Sequence, residues 1–196
     1  MQTPLPTLSN LRTPALHSAL LAAMDNKTKP LGSLGRLESL ALQLGEILGS
    51  QSPVLDQAQM VVFAADHGIT AQGISAFPSE VSWQMVENFL AGGAAVSVLA
   101  RQHGLRLVVV DVGVASPVVE GDNVWSHNVR AGSDDLAVGS ALSAADVDAA
   151  LVVGVDVATR LVSGGARCLL TGEMGIGNTT PADVKAAHFG AKDDGE

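Results

Sequence analysis

Three short apolar runs, separated by segments of helical periodicity, constrain the fold of this chain more than any other feature. The runs cover residues 60–65, 105–110 and 167–171. Strands of a parallel sheet are buried on both faces, so they read as continuous apolar runs and not as alternating ones. Helices between such strands predict right-handed crossovers. We therefore predict an α/β fold with three layers, a mainly parallel sheet with helices on both faces, and expect the sheet to be incomplete in this chain.

The segments between the runs carry the predicted helices. The period is weak over 14–24, strong over 34–48 with Ser33 as cap, and returns over 143–162. A broken helix, or two successive helices, is predicted over 80–103 with the break at Gly92 and Gly93. Residues 116–139 lack a period and are predicted to be loop with at most an irregular strand. We expect two parts, a proline-punctuated helical arm and small-domain segment over 1–50 and an α/β core over 51–196.

Composition excludes several classes of function. The formal charge is −9 with only 11 Lys and Arg residues, which argues against a nucleic-acid surface. Cys168 is the single cysteine, so a disulfide framework is excluded and no Cys/His spacing suggests zinc. No apolar run approaches the roughly 20 residues of a membrane span, and the first residues lack the pattern of a signal peptide. We expect a cytoplasmic protein without a metal or cofactor.

An acidic residue closely follows each of the three predicted strands. These residues are Asp66, Asp111 and Glu173. The carboxyl ends of parallel strands meet at one edge of a sheet, where ligands of α/β proteins bind, so the three acids predict a site there. The alternative is that each acid caps a following helix or loop. His67 titrates near neutrality, but no serine or cysteine nucleophile accompanies it, so a positioning role is favoured over a catalytic triad.

The glycine-rich segment 171–180 is the strongest candidate for a ligand-binding loop. Its glycines would let backbone approach a ligand, Thr179 or Thr180 would cap a helix, and Pro181 would open that helix. Free amides at a helix start attract anions such as phosphate. The segment has neither the Gly-Lys-Ser/Thr of a nucleotide P-loop nor the spacing of a dinucleotide fingerprint. A tight turn without a ligand is the alternative.

Residues 77–86 form the most apolar junction between a loop and a helix in the chain. Phe77, Pro78, Trp83 and Met85 alternate there with polar residues. Such a mixture suits a flat heteroaromatic ligand, and ordinary core packing is the alternative.

Seven short motifs, by their order and spacing, resemble the nicotinate-nucleotide:dimethylbenzimidazole phosphoribosyltransferase family. They are KPLGSLGRLE (29–38), ADHGI (65–69), FPSEV (77–81), QMV (84–86), NFLAGGA (88–94), DVGV (111–114) and TGEMGIGNTT (171–180). The resemblance implies that a benzimidazole nitrogen attacks the ribose of nicotinate mononucleotide, giving α-ribazole 5′-phosphate and nicotinate in cobalamin lower-ligand synthesis. It also implies a homodimer, small-molecule substrates and no metal.

The resemblance also implies which residues touch the substrates. The base pocket would be bordered by Phe77, Pro78, Ser79, Gln84 and Met85, and the nucleotide by Glu173, Gly175, Gly177, Asn178, Thr179 and Thr180. Glu173 would act as a supporting carboxylate, and Asp66, His67 and Asp111 would have positioning roles. No metal ligand is implied.

The resemblance covers roughly residues 5–181, and residues 182–196 depart from the pattern of the family. The glutamate that serves the family as general base has no counterpart in this sequence. We therefore expect that this chain alone does not complete the transfer. Two alternatives stay open, an enzyme that needs a complementary polypeptide, and a non-catalytic ligand-binding or remnant module.

Overall fold

The computed structural model describes residue 11 and residues 13–119 and 121–190. Most of the predicted proline-punctuated arm at the start of the chain lies outside these residues. The chain divides into two compact units, one ending at Leu55 and the other continuing from Asp56. No helix in the described part of the chain combines the length and apolar character needed to cross a bilayer.

The unit that ends at Leu55 is a pair of helices, α1 (Pro14–Asp25) and α2 (Arg36–Leu48). Pro14 suits the first position of α1 because a proline lacks the amide hydrogen that would be unpaired there. Leu20 packs against Gly45, where a Cβ would lie 2.5 Å from a Leu20 methyl carbon. The prediction that Ser33 caps α2 was wrong, because Gly35 directly precedes the helix.

In the described part of the chain, the second unit is built on four parallel strands. They are β1 (Gln59–Ala65), β2 (Arg106–Gly113), β3 (Val124–Ser126) and β4 (Leu169–Met174), in the order β3-β2-β1-β4. The predicted α/β fold with a parallel sheet is confirmed, and β3 is the irregular strand allowed within 116–139. β2 and β4 run further than predicted, because β1 continues to Ala65 and offers backbone partners to both neighbours. Asp111 and Glu173 therefore lie within strands, not after them.

Among the described residues, four helices accompany the sheet. They are α3 (Val81–Ala91), α4 (Ala95–Gln102), α5 (Ala144–Ser163) and α6 (Thr179–Gly190). A short 3₁₀ helix, Gly68–Gln72, follows β1. The predicted break between α3 and α4 is confirmed at Gly92, which has a left-handed φ of 77°. α5 begins with a reciprocal capping box between Ser143 and Asp146.

Alternate residues of the strands point to opposite faces of the sheet and form two cores. Val62 and Val109 pack with Val86 and Phe89 of α3 on one face. Val61, Val108 and Val110 pack with Val157 and Leu161 of α5 on the other face. Helices thus cover both faces, and the loops after the strands gather at the carboxyl edge of the sheet.

Candidate functional site

Asp111 uses its carboxylate to build the turn that follows β2. The side chain is 3% exposed, and Oδ1 accepts hydrogen bonds from the amides of Gly113 (3.0 Å) and Val114 (2.8 Å). Asn128 Nδ2 donates to both carboxylate oxygens, at 3.1 and 3.2 Å. These protein donors occupy the carboxylate, so Asp111 shapes the edge of the site through the backbone after β2.

Asp66 lies directly after β1 and joins three loops. Its Oδ2 accepts a hydrogen bond from the amide of Ala115 (2.8 Å), its amide donates to Gly113, and its carbonyl accepts from Ser133. The residue is 8% exposed, and its Oδ1 is buried without a hydrogen-bond partner in the described ranges. A buried carboxylate oxygen is costly to leave unpaired, so Oδ1 of Asp66 is a candidate hydrogen-bond acceptor at this edge of the sheet.

His67 is half-buried and lies against Gly175. A Cβ on Gly175 would be 2.7 Å from both Cδ2 and Nε2 of the imidazole. Burial lowers the pKa of His67 below 6.5, although the carboxylates of Glu173 and Asp66 act in the opposite direction. Lys185 adds a smaller lowering effect on this pKa. The imidazole is therefore neutral at neutral pH.

The lowered pKa of His67 makes stability depend on pH. Below pH 6.5 the unfolded chain binds a proton that the folded chain resists, so folding stability falls as pH drops through this window towards the lowered pKa. We expect urea unfolding at about pH 7.5 and about pH 5.5 to show a smaller loss for His67→Gln than for the unmodified chain. His103→Gln, at an exposed position after α4, should retain the original pH dependence. Equal losses in all three proteins would contradict the assignment.

The glycine loop, residues 175–178, connects β4 to α6 and packs closely on the segment after β1. A Cβ on Gly175 would lie 2.3 Å from the carbonyl oxygen of Ala65, and one on Gly177 would lie 2.9 Å from Cγ2 of Thr70. Gly177 also has a left-handed φ of 83°. The sequence-based interpretation was that these glycines let backbone approach a ligand. In the structure, their missing side chains make room for the protein itself.

Some backbone amides of the glycine loop and of the start of α6 donate hydrogen bonds within the protein, and others do not. The amide of Ile176 donates to the fully buried Ser82 Oγ (3.1 Å), and that of Asn178 donates to Gly175 (3.1 Å). No hydrogen bond within the described part of the chain uses the amides of Gly177, Thr179 and Thr180. Unpaired amides at the start of a helix attract anions, so these three amides are candidate donors to a phosphate.

The start of α6 differs from the prediction. The helix begins at Thr179, so neither Thr179 nor Thr180 is its cap and Pro181 is its third residue. Asn178 takes the preceding position, where its carbonyl accepts a hydrogen bond from Ala182. Its side-chain Nδ2 instead donates to Glu173 Oε1. This bond orients the exposed carboxylate of Glu173 beside the glycine loop.

A cavity of about 310 Å³ opens at this point. Its lining includes five residues predicted from the motifs, Gly175, Gly177, Asn178, Thr179 and Thr180. Ile74 and Ser75 line it too, and the sequence contained no signal for them because they lie in a loop without periodicity. In the described ranges, no cluster of three or more His, Cys, Asp or Glu side chains is arranged to hold a metal ion.

The residues predicted for the base pocket lie at the start of α3 and just before it, and none of them lines this cavity. Phe77 is 62% exposed, and Pro78 and Gln84 are exposed as well. Ser79 is partly buried, and Met85 packs against the core under α3. The hydrogen bond from Ile176 to Ser82 connects the first turn of α3 to the glycine loop. Ser82 was missed in the sequence because its partner is 94 residues away.

Comparison with known proteins gives the family of the chain. A family model described as phosphoribosyltransferase matches residues 11–194. The nicotinate-nucleotide–dimethylbenzimidazole phosphoribosyltransferase of Variovorax paradoxus is 52% identical over 189 residues, which are 96% of this chain and 53% of the relative. The enzyme of the same name from Cupriavidus necator is 49% identical over 168 residues, 86% of this chain and 49% of the relative.

Solved structures agree with the sequence comparison. The crystal structure of the enzyme of this name from Thermus thermophilus superposes with a TM-score of 0.86 at 40% identity. The match covers 90% of this chain and 54% of that one. The chain thus spans about half the length of the relatives that it matches. The resemblance drawn from the seven motifs is confirmed, and the chain belongs to this phosphoribosyltransferase family. The prediction that the resemblance ends near residue 181 was wrong, because the family model matches as far as residue 194.

Proposed function

We propose that this chain binds nicotinate mononucleotide at the glycine loop and takes part in transfer of its ribose phosphate to a benzimidazole. The observation that carries the proposal is the set of unpaired amides of Gly177, Thr179 and Thr180 beside the oriented carboxylate of Glu173. The names of the relatives supply the substrates, nicotinate nucleotide and dimethylbenzimidazole. A phosphate held by the amides would fix the position of the ribose next to the carboxylate.

The reaction explains why a carboxylate is useful at this position. A benzimidazole ring nitrogen attacks C1′ of the ribose while the C1′–N bond to nicotinate breaks, and its electron pair leaves on the nicotinate nitrogen. The second benzimidazole nitrogen then loses its proton to solvent or to a base of the complementary polypeptide. Positive charge develops on the ribose as the leaving group departs, and the oriented carboxylate of Glu173 stabilises it.

We infer that the base approaches from the start of α3. The first turn of α3 is hydrogen-bonded to the glycine loop through Ser82. The residues proposed to contact the base lie in this turn or close to it; they are Phe77, Pro78, Ser79, Gln84 and Met85. Exposed Phe77 and Gln84 offer an aromatic surface and an amide to a flat heteroaromatic ring.

The test separates binding from turnover. We expect saturable binding of nicotinate mononucleotide to the purified chain by calorimetry. We expect α-ribazole 5′-phosphate and nicotinate when dimethylbenzimidazole is added together with the unmatched half of the Variovorax relative, either mixed in or fused. Glu173→Gln should lower product formation at least about tenfold and leave binding nearly unchanged. Glu87→Gln, at an exposed position on α3, is the matched control and should have no effect.

Two results would contradict the proposal. Binding without product in the fused protein favours the second candidate, a non-catalytic module that holds the nucleotide. Absence of binding excludes both candidates, provided that the intact Variovorax relative binds and reacts under the same conditions.

We also propose a cytoplasmic homodimer without affinity for nucleic acid. The net charge of −9 and the single cysteine support the absence of a nucleic-acid partner and a reducing compartment. The dimer rests on the family resemblance. Light scattering on the purified chain tests it, since a dimer has twice the mass of the 20.0 kDa chain.

A further inference from the structure

A second cavity, of about 410 Å³, lies at the opposite end of the sheet from the glycine loop. It is bounded by the end of α3, by α4 and by the start of β2. Because all strands are parallel, their starts lie at one edge of the sheet and the proposed nucleotide site lies at the other. The cavity is therefore separate from the site that the family motifs mark.

The floor of this cavity is apolar and well packed. Phe89, Ala100 and Val109 are 7%, 3% and 1% exposed. Ser97 is the buried polar residue of the lining, and its hydroxyl donates to the carbonyl of Phe89 at 2.9 Å. The hydroxyl is thus satisfied within the protein, and the floor suits the apolar part of a ligand.

Two arginines stand at the rim. Arg106, the first residue of β2, donates from Nε to Asn123 Oδ1 (3.2 Å) and from Nη2 to the carbonyl of Asp122 (2.8 Å). Both acceptors are neutral groups, so they hold the guanidinium in place without neutralising its charge. Arg101 extends from the last turn of α4, with Nη1 3.0 Å from where a Cβ on Gly92 would lie. Neither arginine forms an ion pair within the described residues.

An apolar floor with two arginines at its edge is complementary to a specific kind of ligand. Two uncompensated guanidinium groups above an apolar floor are unusual in a chain with a net charge of −9. Guanidinium groups pair best with carboxylate or phosphate oxygens, and they also stack on flat rings. The volume lies at the lower end of the range for small-ligand sites, about 300–1,000 Å³. We propose that this cavity binds a small aromatic carboxylate, with the ring on the Phe89 floor and the carboxylate between Arg101 and Arg106.

The experiment uses benzoate as the probe and ¹⁵N–¹H correlation spectra of the full chain as the readout. We expect saturable shifts at the amides of Leu105, Arg106 and Leu107, with a dissociation constant on the order of millimolar for so small a ligand. The amides of Gly177 and Thr179 should not move. Benzamide, which has the same shape without the charge, should bind at least about tenfold more weakly.

Matched variants assign the effect to the arginines. Arg106→Gln and Arg101→Gln should each weaken benzoate binding at least about tenfold, whereas Arg36→Gln, an exposed arginine of α2, should leave it unchanged. Arg101 makes no hydrogen bond to described residues through its side chain, so its variant keeps the test valid if Arg106→Gln perturbs folding. Equal affinity for benzamide, insensitivity to both variants, or no saturable shift up to tens of millimolar benzoate would overturn the proposal. None of these outcomes depends on nucleotide binding.

Discussion

Replacement of Gly175 by alanine is expected to destabilise the protein by about 3 kcal/mol and to abolish the proposed binding of nicotinate mononucleotide. The new Cβ would lie 2.3 Å from the carbonyl oxygen of Ala65 and 2.7 Å from two ring atoms of His67. Ala65 is the last residue of β1, at the centre of the sheet, so its carbonyl has little freedom to move. The glycine loop must therefore shift, and the amides of Gly177 and Thr179 shift with it. Urea unfolding and calorimetry with nicotinate mononucleotide measure the two effects.

A double variant, His67→Ala with Gly175→Ala, separates the steric clash with the His67 ring from the clash with the Ala65 carbonyl. His67→Ala removes the ring but leaves the carbonyl of Ala65 in place, so it should restore only part of the stability lost in Gly175→Ala. The matched control is Gly154→Ala within α5, where a Cβ meets nothing within 4 Å. That change should stabilise the protein by about 0.5–1 kcal/mol, because alanine favours helix over glycine. A neutral Gly175→Ala would mean that the loop does not pack on β1 as described.

Replacement of Asp111 by alanine is expected to cost about 4 kcal/mol, because it leaves several buried donors unpaired at once. The amides of Gly113 and Val114 and the side chain of Asn128 all donate to this carboxylate. A typical domain has a total stability of about 5–15 kcal/mol, so the loss would leave a marginal fold. Urea unfolding of the purified variant measures it.

Asp111→Asn refines the assignment. An asparagine keeps one oxygen for the two amides, but its NH₂ group would face the donor Nδ2 of Asn128. We therefore expect an intermediate loss of about 2 kcal/mol. Asp156→Ala, on the exposed side of α5, serves as the control and should change stability by no more than about 0.5 kcal/mol. Similar small losses for Asp111→Ala would show that the carboxylate does not hold the turn.

The order of strands and helices in the second unit could be predicted from the sequence because burial of an element requires a local pattern of apolar residues. β1 is covered on both faces, so residues 60–65 are continuously apolar. α5 is covered on one face, so its apolar residues recur with the helical period. Gly92 marks the end of α3 because the left-handed conformation there favours glycine. The motifs identified the family for the same reason, since they are contiguous in the chain.

Strand ends and side-chain roles depended on partners that are distant in sequence. β2 and β4 extend through Asp111 and Glu173 because β1 lies between them, and no local pattern reports that neighbour. Asp111 was grouped with Asp66 from strand position alone, but its carboxylate is occupied by donors that include Asn128, 17 residues further on.

The glycine loop shows the same division most clearly. Sequence alone predicted a glycine-rich turn into a helix within residues 171–180, because glycine permits tight turns and proline favours the first turn of a helix. The tertiary structure decided that Gly175 and Gly177 make room for His67 and Thr70. It also decided which amides stay unpaired, since Ser82 occupies that of Ile176 from a helix 94 residues away in the chain. A hydrogen bond between such distant residues arises only when the sheet brings their loops together, so no local pattern could have predicted it.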